Sequence, residues 1–280
     1  MRRRDILNVL FICFVLPPCL RFPDQSWAQD DAKNIPSLQI PAKEKFKIVV
    51  LAGQSNMAGR GFIEDEDRTP IPRVYMLNKD GQWVPAVDPV HYDKSVAGVG
   101  PGREFARLLV ESDPSIAVGL VPTACGGSSI DDWRPGVFFK QTNSHPYDDA
   151  IARTKRALED GTLEAILWRQ GEADASVKKA ERHEEKLLRL FTDLRAEFNA
   201  PDVPILVGEL FLPQGGAGAV AIRNAQIAAV EHAQPAAFVS AEGTTLNPDN
   251  VHFDRRSQIE QGKRFFEALQ ALKERNDSSN

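Results

Sequence analysis

The chain of 280 residues is 42% hydrophobic and 26% charged, with 19 Gly and 19 Pro. Those proportions exclude disorder, a collagen-like repeat and a polytopic membrane protein. Lys and Arg number 34 against 39 Asp and Glu, a net charge of −5 with no basic stripe, so no nucleic-acid partner is expected.

The first 28 residues have the layout of a secretory signal peptide. Arg2, Arg3 and Arg4 form a positive n-region. Ile6 to Leu16 form an apolar core too short to span a bilayer comfortably, and Ser26-Trp27-Ala28 puts small residues at −3 and −1 of a cleavage site. Leu16-Pro17-Pro18-Cys19 resembles a lipoprotein box only faintly, because Pro stands beside the Cys. The expectation is a secreted or periplasmic bacterial protein, cleaved after Ala28, with no stable membrane association. Cys13 and Cys19 leave with the leader, and Cys125 alone can form no intrachain disulfide. Residues 29–44 read as a loose segment and 45–274 as a single domain.

Five short, apolar runs follow, at 45–51, 115–121, 163–168, 203–210 and 236–240. Bounded by Pro or Gly and apolar almost throughout, they predict strands buried on both faces of a parallel sheet. Between them, apolar residues at i, i+3, i+4 spacing predict helices over 102–111, 147–159, 175–198, 219–232 and 255–274. The alternation predicts an α/β fold, a three-layer α/β/α sandwich around a central parallel sheet of about five strands.

In such a sheet, functional residues collect at the carboxyl ends of the strands. Four polar, Gly-rich segments stand there: GQSNMAG from Gly53, PTACGGSS from Pro122, RQGEAD from Arg169 and NPDNVHF from Asn247. Ser55 fits two readings, a helix N-cap or an exposed nucleophile whose own N–H faces an oxyanion. Gly126 and Gly127 fit an ordinary glycine turn or a pair of unhindered N–H donors. Gln170 is either a further donor or a residue that braces its loop. Asp249 precedes His252 by three residues, so one tight turn brings its carboxylate to Nδ1–H. There it would fix the tautomer and stabilise the imidazolium formed when His252 takes a serine proton. A surface Asp–His pair capping the next helix is the other reading. His183 falls on a charged helix face and reads as solvated. His232 closes a helix, and His91 and His145 are loop residues. No H-E-x-x-H, C-x-x-C, Walker loop or strand-borne G-x-G-x-x-G is present, so neither a metal nor a cofactor is expected.

KIVVLAGQSNMAGRG, VGLVPTACGGSSIDDW, AILWRQGEADA and DNVHFD, in this order, resemble the sialate O-acetylesterase and acetylxylan esterase group. This is carbohydrate esterase family 6, a group of SGNH-type hydrolases. The resemblance runs from about Lys45 to about Ala271 and includes Gly98–Gly102 and Trp83–Ala86. It implies a serine carboxylic-ester hydrolase, an acetylesterase without cofactor, acting on an acetylated carbohydrate. Position by position it implies Ser55 as nucleophile, His252 as general base then acid, and Asp249 as the residue that orients His252. The implied oxyanion hole uses the Ser55 N–H, an N–H from Gly126-Gly127 and the Gln170 side chain. Gln54, Asn56 and Glu172 are implied as supporting residues, with Glu172 as an alternative partner for His252. Ala173 departs from the serine that members often carry there. An α/β-hydrolase is discounted, because its G-x-S-x-G elbow is missing and the serine follows the first strand.

The expected function is a secreted carbohydrate O-acetylesterase acting on acetylated polysaccharide of the acetylxylan type. A sialate O-acetylesterase is one alternative. Another is a non-catalytic carbohydrate-binding protein with Trp83, Trp133 and Tyr92 stacked on sugars. Specificity is expected in loops 60–100 and 128–147.

Overall fold

The computed structural model describes residues 40–279, with side chains as far as Arg275. The predicted leader, its cleavage site and Cys19 lie outside the described residues. A short 3-10 turn at Lys43–Lys45 leads into β1 (Phe46–Gly53) and then α1 (Ser55–Ala58). β2 (Val74–Leu77), β3 (Trp83–Pro85), α2 (Gly102–Ser112) and β4 (Ala117–Pro122) follow. Next come α3 (Pro146–Leu158), β5 (Thr162–Arg169), α4 (Val177–Ala180) and α5 (His183–Glu197). The chain closes with β6 (Ile205–Gly208), α6 (Gly216–His232), β7 (Ala236–Val239) and α7 (Arg255–Ser279).

The strands form one sheet in the order β3-β2-β4-β1-β5-β6-β7. All neighbours are parallel except β2 and β3, which pair antiparallel. The sheet therefore has seven strands, not about five. The two unpredicted ones are an edge hairpin too short for a pattern to emerge: β2 has four residues, two of them half-buried, and β3 ends on Pro85. The predicted 175–198 helix is two helices, broken at Glu181–Arg182, where the chain turns His183 inward to 0% exposure.

Period-2 alternation along β1 sorts its side chains onto two cores. Val49 and Leu51 join Leu120, Leu167, Phe105 of α2 and Phe265 and Leu269 of α7. Val50 and Ala52 join Trp168, Val207, Ile151 of α3, Phe191 of α5 and Val230 of α6. Two helices cover one face and three cover the other, which is the sandwich the alternation predicts. β4 and β5, successive strands, lie on opposite sides of β1. A crevice opens where consecutive crossovers diverge in this way, at the carboxyl end of β1.

Candidate active site

Gly53, the last residue of β1, takes φ +124°, and a Cβ there would lie 2.0 Å from the Arg169 carbonyl oxygen of β5. Only glycine lets the two strand ends approach so closely, and the Gln54 N–H then donates to that same oxygen at 2.8 Å. Gln54 is the N-cap of α1 and Ser55 its first residue. At the far end of α1, Gly59 (φ +91°) packs on the Gly98 backbone, whose N–H donates to the Gly59 oxygen at 3.1 Å. The Gly98–Gly102 segment thus braces the serine turn from outside.

The last functional loop runs from Asn247 to Phe253. The Asn247 N–H donates to the His252 oxygen at 2.7 Å, and Leu246 bridges Phe253, so the loop closes as one tight turn. Asp249 Oδ1 accepts the N–H groups of Val251 and His252, each at 2.9 Å. Its Oδ2 lies 2.7 Å from His252 Nδ1, and His252 Nε2 lies 2.9 Å from Ser55 Oγ. Burial opposes the Asp249 charge, but the His252 and Val251 contacts outweigh it and hold the carboxyl below its ordinary 3.8. Asp249 is thus a committed anion facing Nδ1, which leaves Nε2 as the nitrogen that faces the serine.

Beneath these three residues lies a buried frame. Asn56, 0% exposed, donates Nδ2 to the Val251 oxygen at 3.1 Å and accepts the Phe253 N–H on Oδ1 at 3.0 Å. One side chain beside the serine therefore holds both neighbours of His252. Glu172 Oε1 accepts from Asn56 Nδ2 at 2.6 Å. Glu172 braces Asn56, and the partner of His252 is Asp249. Arg169, buried, lays its guanidinium 4.2 Å from the Phe253 ring centroid and donates to Gln261 and the Glu209 carbonyl. Arg60 pairs with Asp93 at 2.9 Å, its carbonyl accepts from Asn247 Nδ2 at 2.9 Å, and Asp93 accepts the Gly126 N–H at 2.8 Å. Sequence reasoning missed Arg60 and Asp93 and assigned no role to Arg169 and Asn247, which open two of the functional segments, because their partners are distant in the chain and follow no motif spacing.

Of the expected oxyanion donors, the Gln170 side chain and the Gly126 N–H are committed elsewhere. Gln170, 0% exposed, gives its amide to the Ser128 oxygen (3.2 Å) and to Asp174 Oδ2 (2.6 Å). An acid four residues on, presented by the 3-10 turn Glu172–Asp174, turns that side chain inward. The Gly126 N–H points at the Asp93 carboxylate. Among the described residues, the N–H groups of Ser55 and Gly127 meet no acceptor. Their turns are tied together where the Cys125 N–H donates to the Gly53 oxygen at 2.9 Å. Gln54 Oε1 receives the Gly171 and Ala173 N–H groups, each at 3.4 Å.

Other reactive groups are ruled out by their surroundings. Burial pushes the Cys125 thiol up to about 11, which keeps it protonated and unreactive. Burial holds His91 and His183 down to about 4, so both rings are neutral, and His183 is not the solvated residue its charged helix suggested. Among the described residues, no group of three or more His, Cys, Asp or Glu is placed to hold a metal. Trp83 and Trp133 are buried, with their indole N–H groups on Asp160 and Ser128. The Tyr92 ring carries the Arg153 guanidinium at 4.9 Å and Lys79 at 5.2 Å. Neither tryptophan offers an open platform to a sugar.

Residues 45–271 match the model of the family described as carbohydrate esterase, sialic acid-specific acetylesterase. The chain belongs to that family. It is an esterase of the carbohydrate class. A probable carbohydrate esterase of Arabidopsis thaliana is 32% identical over 249 residues, which is 81% of this chain and 91% of the relative. That protein's X-ray structure superposes with a TM-score of 0.72, covering 80% of this chain and 98% of the other. NanS (18% identical, TM-score 0.66, 84% of this chain and 100% of the other) has the same fold. So does a carbohydrate acetylesterase from Xanthomonas citri (19% identical, TM-score 0.63, 81% and 56%).

Proposed function

We propose that this esterase removes acetyl groups from acetylated polysaccharide of the acetylxylan type, through an acyl-enzyme on Ser55. The observation that carries the reading is the continuous chain Asp249 Oδ2–His252–Ser55 Oγ, at 2.7 and 2.9 Å. As Ser55 Oγ attacks the acetyl carbonyl, its proton passes to His252 Nε2 while Asp249 holds Nδ1–H. The carbonyl oxygen becomes an oxyanion against the Ser55 and Gly127 N–H groups. Collapse breaks the ester bond, and Nε2 returns the proton to the departing sugar oxygen. Water then attacks the acetyl-serine with the same proton route in reverse, releasing acetate and regenerating Ser55. No cofactor enters either half-reaction.

A sialic acid acetyl ester is the second reading, favoured by the family's own description. The leader expected over residues 1–28 would place either chemistry outside the cytoplasm. N-terminal sequencing of exported protein should then begin near Gln29, and a start at lipid-modified Cys19 would replace that reading with a membrane-anchored one. Acetate release from acetylated xylan and from 4-nitrophenyl acetate tests the activity. Stoichiometric sugar binding with no turnover of either would overturn it in favour of a binding protein.

A further inference from the structure

Beside His252 and Asp249 lies a cleft of about 650 Å³, within the range of small-ligand sites. Its walls come from the 60–63 segment after the serine turn, the 96–98 segment and the Asn247–His252 loop. Its rim carries Phe62, 71% exposed, and Val96, 64% exposed. Exposed apolar side chains gathered on one cleft mark a binding surface in a way that single ones scattered over a surface do not. These two share the cleft with His252, whose Nε2 faces Ser55 Oγ at 2.9 Å.

The charge of the cleft is as informative as its shape. Among the described residues that line it, Arg60 is the only Arg or Lys, and it is 9% exposed. Its guanidinium is committed to Asp93 at 2.9 Å and to the Gly59 oxygen at 2.6 Å. Asp249, the one acid on the lining, is an anion whose side chain is 49% exposed. A sugar carboxylate entering here would meet no free cation and one carboxylate, whereas carboxylate recognition relies on Arg or Lys donors.

We infer that this cleft seats a neutral acetylated sugar ring against Phe62 and Val96, and that it disfavours an anionic sugar such as a sialoside. The inference rests on the acetylesterase reading and deepens it. The C–H face of a neutral pyranose packs on the Phe62 ring, its hydroxyls stay in water, and the acetyl group reaches Ser55. Phe62 and Val96 are then specificity-determining residues.

The test is steady-state kinetics of the full exported protein on three esters. These are 4-nitrophenyl acetate, a neutral acetylated xylo-oligosaccharide and O-acetylated N-acetylneuraminic acid. The wild type should show a kcat/KM at least tenfold higher on the neutral oligosaccharide than on the sialic acid ester. Phe62→Ala should raise KM for the oligosaccharide about five- to tenfold with a much smaller change in kcat on the same substrate. Phe138→Ala, which removes an exposed phenylalanine outside the cleft (52% exposed), should leave that KM alone. Val96→Lys should shift the kcat/KM ratio toward the anionic ester by about tenfold at low salt, and less at high salt. If the wild type turns over 4-nitrophenyl acetate but prefers the sialic acid ester, the neutral seat is wrong and the esterase reading stands. An unchanged KM in Phe62→Ala, or one matched by Phe138→Ala, also overturns the seat. No turnover of any of the three sinks both.

Discussion

The turns that follow β1 and β5 lie side by side, and the Gln54 N–H on the Arg169 oxygen stitches their starting points together. Each opens at the carboxyl end of a strand, each has a glycine at positive φ (Gly53 at +124°, Gly171 at +145°), and each carries polar side chains. They nevertheless do opposite things. The first holds Ser55 Oγ out to His252, while the second draws Gln170 in to Asp174 and Ser128. Position in the fold and residue type do not separate the two turns. The partners do: the serine has an acceptor 197 residues away, and the glutamine has an acid four residues away. A polar group at a strand end belongs to the reaction only if no nearby group has already claimed it.

That contrast can be broken experimentally, most strongly at Ser55. Ser55→Ala should lower kcat by at least about 10³-fold, since the nucleophile and its base act as a unit. Its unfolding temperature should stay close to wild type, because the hydroxyl's one partner is His252. Retention of more than a few per cent of the acetate-release rate would remove the serine from the mechanism.

Asp249→Asn should come next, with a loss of about 10² to 10⁴ in kcat. The lower end is favoured here because the carboxylate is half exposed to solvent, which screens it. The pH profile sharpens the point. A protonated His252 cannot accept the serine proton, so kcat/KM should fall on the acid side. Asp249 is held below 3.8, so above that value it stays ionised and adds no second proton, and the wild-type acid limb should have unit slope. By the same linkage its contacts stabilise the fold above the ordinary carboxylate value and are lost as pH falls through the lowered one. A slope of two would mean that the carboxylate titrates together with the base.

Glu172→Gln should cost about tenfold or less in kcat, because it loosens Asn56 without touching Asp249 or His252. If it matched Asp249→Asn, Glu172 would be the orienting carboxylate after all. The smallest effect on rate is expected at Gln170. Gln170→Ala should change kcat less than about threefold and lower stability by about 1–3 kcal/mol, measured by chemical denaturation, since it takes one donor from buried Asp174, which keeps the Ile130 N–H, and leaves the Ser128 oxygen without the Gln170 amide. An oxyanion donor would instead show about 10²–10³ in rate.

The legible parts of this molecule are those written locally. The five strands β4, β1, β5, β6 and β7 follow from apolar runs that a parallel sheet packed between helices can bury. The Asp249–His252 contact follows from a three-residue spacing that one turn closes by itself. The edge hairpin β2–β3 escapes because strands of four and three residues are shorter than any pattern they could display. The Arg60–Asp93 pair joins residues 33 apart across a loop, and no periodicity marks such a meeting. The sugar-facing residues escape for a related reason. Trp83 and Trp133 resemble platforms by composition, yet both fill cavities in the core. Phe62, ordinary in sequence, is left outside.

Ser55 stands at the end of the first strand of the sheet and His252 just after the last, 197 residues apart and in contact only through folded structure. Every strand of the sheet except β1 lies between them in the chain. Closing a contact of that sequence separation carries a large loop entropy and belongs to slow, topologically complete folding. Regain of esterase activity after dilution from denaturant therefore reports the final docking of the carboxyl-terminal loop on the amino-terminal strand. It should lag any signal that only senses collapse or helix content, which makes the enzyme's own turnover a clock for the completion of its sheet.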